Sequence, residues 1–272
     1  MTATPIPRSL ALTYYNDMNV SNIKMKPKGR KNIETSLISI KKIDSLVRGL
    51  KRRISKGSQI YWVCPAIEFN EDTTNLISIE EREKYLSKHF EKSKFEIVHG
   101  KQKSDERDFI INNFKDGKSQ ILLATTVVEV GIDVPNADII IIESANRYGL
   151  AQLHQLRGRV GRSNKQSYCI LLYENQLSEI AEKRLNTLKS TNDGFLIAEK
   201  DLILRGPGEV LGIRQSGDAN FKFVNLILHK DLIENAKKEA EFLYENIEKN
   251  SKKLDKLNEI FQNKKALISL GG

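Results

Sequence analysis

The chain has 272 residues, of which 39% are hydrophobic and 29% charged. This length and balance fit a globular protein with one large domain or one domain with appendages, and they exclude a fibrous or low-complexity chain. The 44 Lys and Arg residues against 35 Asp and Glu give a net charge of +9. An excess of positive charge favours a polyanionic partner, most often nucleic acid.

No run of apolar residues approaches the ~18 that a membrane-spanning helix needs. No signal-type segment follows Met1, so we expect a cytoplasmic protein that contacts no membrane. Cys64 and Cys169 each lie in an apolar run, which predicts two free core thiols in a reducing compartment. The four histidines are scattered, and no Cys or His pair has the spacing of a metal site.

Residues 1–33 carry several prolines and a basic run, which is typical of a connector. From residue 34 to 175, short branched segments alternate with helical patterns. The predicted strands are 35–38, 60–64, 95–99, 121–125, 139–143 and 168–172. Strands separated by helices indicate a parallel sheet. Because 139–142 is apolar on both faces, helices should cover both sides, which predicts a doubly wound α/β fold.

Helices between these strands are predicted from apolar periodicity and from their first and last residues. The first predicted helix has one apolar face, formed by Ile43, Leu46, Val47, Leu50 and Ile54. Another begins at Ser104, carries Asp105 and Glu106 in its first turn and ends at Gly117.

The pattern changes after residue 175. Residues 180–188 and 196–204 predict two helices joined by 191–194, so 176–228 is interpreted as a helical hairpin followed by a glycine-rich loop. Residues 229–272 form a charged tail, helical from about Lys230. Its lysines, mixed with acids, are either a solvated helix face or a contact with DNA.

The segment 155–162, Gln-Leu-Arg-Gly-Arg-Val-Gly-Arg, is predicted to follow a helix and precede a strand. Arg159 and Arg162 each follow a glycine, so two cationic forks lie where little side-chain bulk crowds them. Such forks suit phosphate oxygens, including the charge that develops at a γ-phosphate during transfer. The alternative is a surface loop making weak exposed ion pairs.

The segment 124–135, Ala-Thr-Thr-Val-Val-Glu-Val-Gly-Ile-Asp-Val-Pro, begins where a strand is predicted to end. Ligands of open parallel sheets gather at the carboxyl ends of strands, so the hydroxyls of Thr125 and Thr126 are suitably placed to bind one. These threonines either cap the next helix or contact a nucleic-acid backbone.

Together these two segments resemble the last two motifs of superfamily 2 helicases. Residues 1–8, Met-Thr-Ala-Thr-Pro-Ile-Pro-Arg, resemble the TAT-type motif that couples two RecA-like domains. Segments 149–156 and 204–209 narrow the resemblance to RecG-type branched-DNA helicases and transcription-repair coupling factors. The RecG type is the closer match on three segments, which are 129–137, 167–171 and 191–195.

The resemblance implies a second RecA-like helicase domain followed by a helical hairpin, within a monomeric motor that uses ATP to move on branched double-stranded DNA. Such motors reverse forks and migrate Holliday junctions in recombination and repair. It implies that Arg159 and Arg162 reach ATP, with Arg162 as the arginine finger, and that Gln155 opens the same motif.

The resemblance also assigns roles outside the arginine motif. Gly131 and Asp133 match cofactor-binding positions. The positions that link ATP state to DNA contact are Thr2, Thr4, Thr125, Thr126, Glu129, Arg184, Arg205 and Gln215.

An ATP motor also needs a G-x-x-x-x-G-K-S/T loop and an acidic D-E-x-D/H motif. The sequence has no such glycine-rich segment, and the Asp-Glu-Arg-Asp at 105–108 is interpreted as first-turn acids of a helix. ATP and Mg²⁺ are therefore expected to require a first helicase domain, which the resemblance places upstream with a wedge domain. We expect this chain alone not to hydrolyse ATP. The alternatives are a coupling-factor translocase fragment and a non-catalytic DNA-binding module of the same fold.

Overall fold

The computed structural model describes residues 31–65, 79–91, 94–125, 134–174, 176–205 and 230–262. Of these, 31–205 belong to one compact unit and 230–262 to another. The strands of the first unit are β1 (Glu34–Ser39), β2 (Gln59–Val63), β3 (Phe95–Val98), β4 (Ile121–Ala124), β5 (Ala137–Ile142) and β6 (Tyr168–Tyr173). Each predicted strand is present, and its ends lie within 2 residues of the prediction.

The helices of the first unit lie between and after these strands. They are α1 (Ile43–Ile54), α2 (Ile79–Ser87), α3 (Ser104–Lys115), α4 (Leu150–Arg157), α5 (Glu179–Ser190) and α6 (Gly194–Arg205), with short 3-10 turns at Ile40–Lys42 and Ala145–Arg147. Asp105 and Glu106 lie in the first turn of α3, as predicted. There the partial positive charge at the helix amino terminus favours acids.

The six strands form one parallel sheet in the order β1-β6-β5-β2-β4-β3. In the registers of β2 with its two neighbours, Val63 aligns with Ala124 and with Ile142. The carboxyl ends of β2, β4 and β5 therefore meet at one edge of the sheet, which we call the carboxyl edge, and their starts lie at the opposite, amino edge.

Helices cover both faces of the sheet, which confirms the doubly wound fold. Alternate residues of β2 divide between two apolar clusters, with Tyr61 and Val63 in one and Ile60 and Trp62 in the other. Helices α3, α4, α5 and α6 contribute buried residues to the first cluster, and α1 and α2 to the second.

The two cysteines are free, as predicted, and each is fully buried in a different cluster. Burial raises the pKa of the Cys169 thiol to about 12. Both side chains therefore act as small core residues at neutral pH.

The second unit contains two helices, α7 (Lys230–Glu245) and α8 (Ile247–Gln262). They confirm the predicted helical tail and are separated at Asn246, whose Nδ2 donates a hydrogen bond to the Phe242 carbonyl at 2.9 Å. Across the part of the chain that the structure describes, no helix has the length and apolarity to cross a membrane.

Candidate functional site

The arginine motif begins inside a helix rather than after one, which corrects the prediction. Gln155, which is half-buried, and Arg157 lie in the last turn of α4, and Gly158 is the residue that ends the helix. The helix extends further than expected because Leu153, Leu156 and Arg157 continue its buried face. Only residues 158–162, which we call the arginine loop, lie beyond the helix.

Two residues fix the backbone of the arginine loop. Val160 is completely buried in the first apolar cluster. Gly161 has a φ of +75°, and a Cβ there would lie 2.9 Å from Cγ1 of Ile33. The left-handed conformation and the close approach both require glycine.

The fixed backbone leaves both predicted arginines at or near the surface. Arg159 is half-buried and Arg162 is exposed. The Nε of Arg162 donates to the Gly158 carbonyl at 3.3 Å, a contact that orients the guanidinium along the loop. The loop thus presents cationic groups on a backbone that Val160 and Gly161 hold.

The arginine loop lies at the amino edge of the sheet. The Glu34 N–H, at the start of β1, donates to the Ser167 carbonyl at 3.0 Å, just before β6. Gln166 Nε2 donates to the Asn32 carbonyl at 3.0 Å. The chain that enters β1 and the chain that leaves the arginine loop therefore run side by side.

The second motif begins at the carboxyl edge and ends at the amino edge. Thr125 follows β4 directly, is half-buried, and its N–H donates to the Val98 carbonyl at 3.2 Å. Near the end of the motif, Val134 is buried and its carbonyl accepts from the Ala137 N–H at 3.1 Å as β5 begins. Thr125 thus lies at the expected carboxyl edge, away from the arginine loop. Four other predicted residues, Thr126, Glu129, Gly131 and Asp133, lie outside the described residues.

The predicted helical hairpin is present as α5 and α6, and each helix has a side-chain cap. Ser178 Oγ accepts from the Ala181 N–H at 3.2 Å, and Asp193 Oδ1 accepts from the Phe195 N–H at 2.8 Å. Such caps satisfy amide groups that the first turn leaves without helical partners.

Of the three predicted hairpin residues, Arg184 is the one whose side-chain hydrogen bond the structure describes. It lies on α5, half-buried, and its Nη1 donates to the Tyr148 carbonyl at 2.7 Å, just before α4. Arg205 ends α6, but its side chain lies outside the described residues, as do Gln215, Thr2 and Thr4.

Arg157 is a residue that the sequence reasoning missed. It is 2% exposed, and its Nη1 donates to the carbonyls of Leu188 at 2.6 Å and Thr191 at 2.9 Å. Leu150 and Leu153 stand seven and four residues earlier on the same buried face of α4. That spacing is the signal in the sequence that could have identified a buried arginine within the motif.

A close helix contact accompanies this arginine. A Cβ at Gly194, the first residue of α6, would lie 2.9 Å from Cε1 of His154 on α4. The absence of a side chain at Gly194 therefore lets the hairpin turn, residues 188–194, approach the helix that carries the arginine motif.

A buried ion pair lies beside the carboxyl ends of β2 and β5. The chain leaves β2 and β5 in opposite directions along the sheet, and the crevice between such strands is where open α/β sheets bind ligands. Here Arg82 Nη2 donates to Glu143 Oε2 at 2.8 Å, and Trp62 Nε1 donates to Glu143 Oε1. Arg82 is 3% exposed and Glu143 2%, so the two side chains form a buried ion pair beside the carboxyl ends of β2 and β5.

The same ion pair affects a neighbouring thiol. Cys64 Sγ lies 3.8 Å from Glu143 Oε1. Burial, and then the Glu143 carboxylate, raise the pKa of Cys64 well above its usual range.

Among the described residues, no group of three or more His, Cys, Asp or Glu side chains could hold a metal ion.

Comparison with known proteins gives two family matches along the chain. Residues 41–164 match the helicase conserved C-terminal domain, and residues 191–268 match the C-terminal part of domain 3 of the ATP-dependent DNA helicase RecG. The first match contains the arginine loop, and the second contains α6 with the end of the hairpin turn.

Curated relatives carry the name ATP-dependent DNA helicase RecG. The Streptococcus pneumoniae protein is 45% identical over 246 residues, which is 89% of this chain and 36% of the relative. The Synechocystis protein is 44% identical over 241 residues, 89% of this chain and 29% of the relative. The chain thus spans about a third of the length of the curated relatives it matches.

A solved structure of RecG bound to a three-way DNA junction is also similar. It superposes with a TM-score of 0.66 at 40% identity, and the match covers 86% of this chain and 30% of that one. This similarity, which covers most of the chain, confirms the RecA-like fold. The chain is thus similar to the carboxyl-terminal part of RecG helicases, in the helicase C-terminal domain and in the C-terminal part of RecG domain 3.

Proposed function

We propose that this chain is the carboxyl-terminal motor half of a cytoplasmic, monomeric ATP-dependent helicase that translocates on branched double-stranded DNA. The observation that carries the proposal is the fixed arginine loop, which presents Arg159 and Arg162 beside a hairpin of the RecG type. The relatives named as RecG helicases, and the RecG structure bound to a three-way junction, support the DNA and ATP parts of the proposal.

The arginine loop fits the triphosphate of ATP. Arg162 is exposed on a backbone held by Val160 and Gly161, so binding a phosphate requires little rearrangement of the loop. Guanidinium groups bind phosphate oxygens through paired hydrogen bonds. In the proposed complete site, ATP supplies the phosphoryl group, and Arg162 neutralises charge that develops on it while Arg159 orients it.

We assign Mg²⁺ and the phosphate-binding loop to a first helicase domain, because the sequence contains no G-x-x-x-x-G-K-S/T segment. Gly131 and Asp133 remain proposed cofactor contacts, and Gln155 a proposed member of the ATP motif. Without the other domain, the chain is expected not to hydrolyse ATP.

The hairpin is the proposed link between the ATP site and DNA. Arg184 already joins α5 to the chain before α4, and Arg205 and Gln215 are proposed to extend that link. Thr2, Thr4, Thr125, Thr126 and Glu129 are the remaining proposed coupling or DNA-contacting residues. A net charge of +9 favours binding to a phosphate backbone.

A chimeric helicase tests the proposal. This chain replaces the matching carboxyl-terminal region of the Streptococcus pneumoniae relative, which is 45% identical to it. The chimera should unwind a three-way DNA junction only with ATP, and the isolated chain should show no ATP turnover. A folded chimera that neither hydrolyses ATP nor unwinds the junction would contradict the proposed function, as would ATP turnover by the isolated chain.

A further inference from the structure

We propose that Arg157 is a positioning residue that holds the hairpin turn to the arginine loop, so that its loss uncouples ATP turnover from DNA movement. This inference rests on the proposed function and adds to it a residue that neither the family motifs nor the relatives' names assign. Three features of the structure support it, namely the acceptors of Arg157, its uncompensated charge and its place in the chain.

The acceptors of Arg157 lie at the carboxyl end of α5 and in the turn that follows. Leu188 and Thr191 accept at 2.6 and 2.9 Å, and Thr35 Oγ1 on β1 is 3.5 Å away. The last carbonyls of a helix lack helical partners and are often satisfied by a glycine in the left-handed conformation. Here Thr191 is extended, with φ −140° and ψ 148°, so a side chain of another helix supplies the donor.

The charge of Arg157 has no carboxylate partner among its described contacts, which are two backbone carbonyls and one hydroxyl. Burial lowers the pKa of Arg157, but a guanidinium remains protonated at neutral pH. The negative end of the α5 dipole offsets part of the cost of burying it. A neutral side chain would avoid that cost but would leave the carbonyls of Leu188 and Thr191 without their donor, so the arginine holds the turn at the expense of burying a charge.

The position of Arg157 connects two functional parts of the chain. It stands two residues before Arg159 and five before Arg162, so a shift of the arginine loop moves its backbone. The turn that accepts its hydrogen bonds leads directly into Gly194, which contacts His154 on the same helix. Closure of an ATP site around the arginine loop would therefore pull on the start of α6.

The test measures base pairs unwound per ATP hydrolysed by the chimera carrying Arg157→Met, which has similar length and no charge. We expect this ratio to fall about tenfold while DNA-stimulated ATP turnover is largely retained, a change typical of a lost coupling between sites. Arg157→Lys, which keeps a cation able to reach one carbonyl, should restore part of the ratio.

The matched control is the double variant Arg82→Met with Glu143→Gln, which removes a buried arginine and its partner from the same unit. This control variant should unwind as many base pairs per ATP hydrolysed as the wild-type chimera. If Arg157→Met in an active chimera also leaves this ratio unchanged, or lowers unwinding and ATP turnover in the same proportion, the inference is wrong and the proposed function stands. A folded wild-type chimera without ATP turnover overturns both.

Hydrogen exchange on this chain alone gives a second measurement that needs no catalytic activity. Arg157→Met should speed exchange at the Phe195, Leu196 and Ile197 amides, in the first turn of α6, and leave the central strand β2 protected. Unchanged exchange in that turn would show that Arg157 does not position it and would overturn the inference.

Discussion

Among the described residues of the first unit, two arginines are almost completely buried, and they are satisfied in opposite ways. Arg82 pairs with the Glu143 carboxylate and also lies over the Trp62 ring, 5.7 Å from its centroid. Arg157 meets two backbone carbonyls and a hydroxyl. The first arrangement is an ion pair with balanced charge, and the second holds a helix end with a charge that has no carboxylate among its described contacts. The difference indicates a structural role for Arg82 and a positioning role for Arg157.

The largest expected effect on stability comes from breaking the balanced pair. Arg82→Met leaves the Glu143 carboxylate buried without its cation, which should lower the free energy of unfolding by about 3–5 kcal/mol. Arg157→Met leaves two carbonyls without their donor, at about 1–3 kcal/mol, and the relief of a buried charge offsets part of this. Urea denaturation of both variants measures which of them loses more free energy of unfolding.

Removing the charge of Glu143 as well should recover most of the free energy of unfolding that Arg82→Met loses. Adding Glu143→Gln to Arg82→Met removes the uncompensated charge, and Trp62 Nε1 can still donate to the amide oxygen. If the double variant is as unstable as Arg82→Met alone, or if Arg157→Met is the less stable single variant, the contrast between the two arginines is wrong.

The arginine loop depends on the left-handed backbone of Gly161, so a substitution there should lower stability by less than Arg82→Met does. Gly161→Ala places a side chain at φ +75° and 2.9 Å from Ile33. Gly57→Ala is the matched control, because Gly57 has φ +84° and open space around its Cβ position. Both should lose about 1–2 kcal/mol from the left-handed conformation, and Gly161→Ala should lose more because Ile33 must move.

Thermal denaturation separates the two glycine variants. A larger shift of the melting temperature for Gly161→Ala than for Gly57→Ala is the expected result. Equal shifts would mean that the loop yields to Ile33 and that its backbone is not held as described.

The smallest expected effect concerns the two thiols. Cys64 lies beside Glu143, the partner of Arg82, and the charge of Arg157 acts on Cys169. Cys169 has a pKa of about 12, raised by burial and opposed by Arg157. The folded state therefore keeps this proton to higher pH than the unfolded state. Its contribution to stability is complete below the ordinary thiol pKa and is lost as pH rises towards about 12.

Thiol labelling checks these environments. In the native chain at pH 8, both cysteines should react only through unfolding, so labelling should follow the unfolding rate and become fast in urea. Arg157→Met should raise the pKa of Cys169 further because the opposing cation is gone. Rapid labelling of Cys169 in the folded wild-type chain would contradict the burial of this region.

The strands and the hairpin could be predicted from the sequence because their signals are local. Residues 139–142 are apolar on both faces, and Thr191 to Gly194 interrupt two apolar periodicities, so β5 and the two hairpin helices were predicted correctly. The family resemblance rested on contiguous motifs for the same reason, and family matches over 41–164 and 191–268 confirm it.

The contacts that define the site could not be predicted, because they join distant residues. Arg82 and Glu143 are 61 residues apart, and Arg157 and Leu188 are 31 apart. No local pattern pairs them, and the position of Glu143 beside β2 follows from the sheet order rather than from any one segment. The extension of α4 to Arg157 was missed because the burial of Leu156 and Arg157 depends on tertiary contacts such as those of Arg157 with Leu188 and Thr191.

The most direct test of the central claim is ATP turnover by the chimera carrying Arg162→Ala, with Arg107→Ala on α3 as the matched control. At saturating DNA, Arg162→Ala should lower kcat by about 10³-fold or more, because the arginine that neutralises transition-state charge is gone. Arg107→Ala should turn over at the wild-type rate. A wild-type kcat for Arg162→Ala would contradict the assignment of the arginine loop to the ATP site.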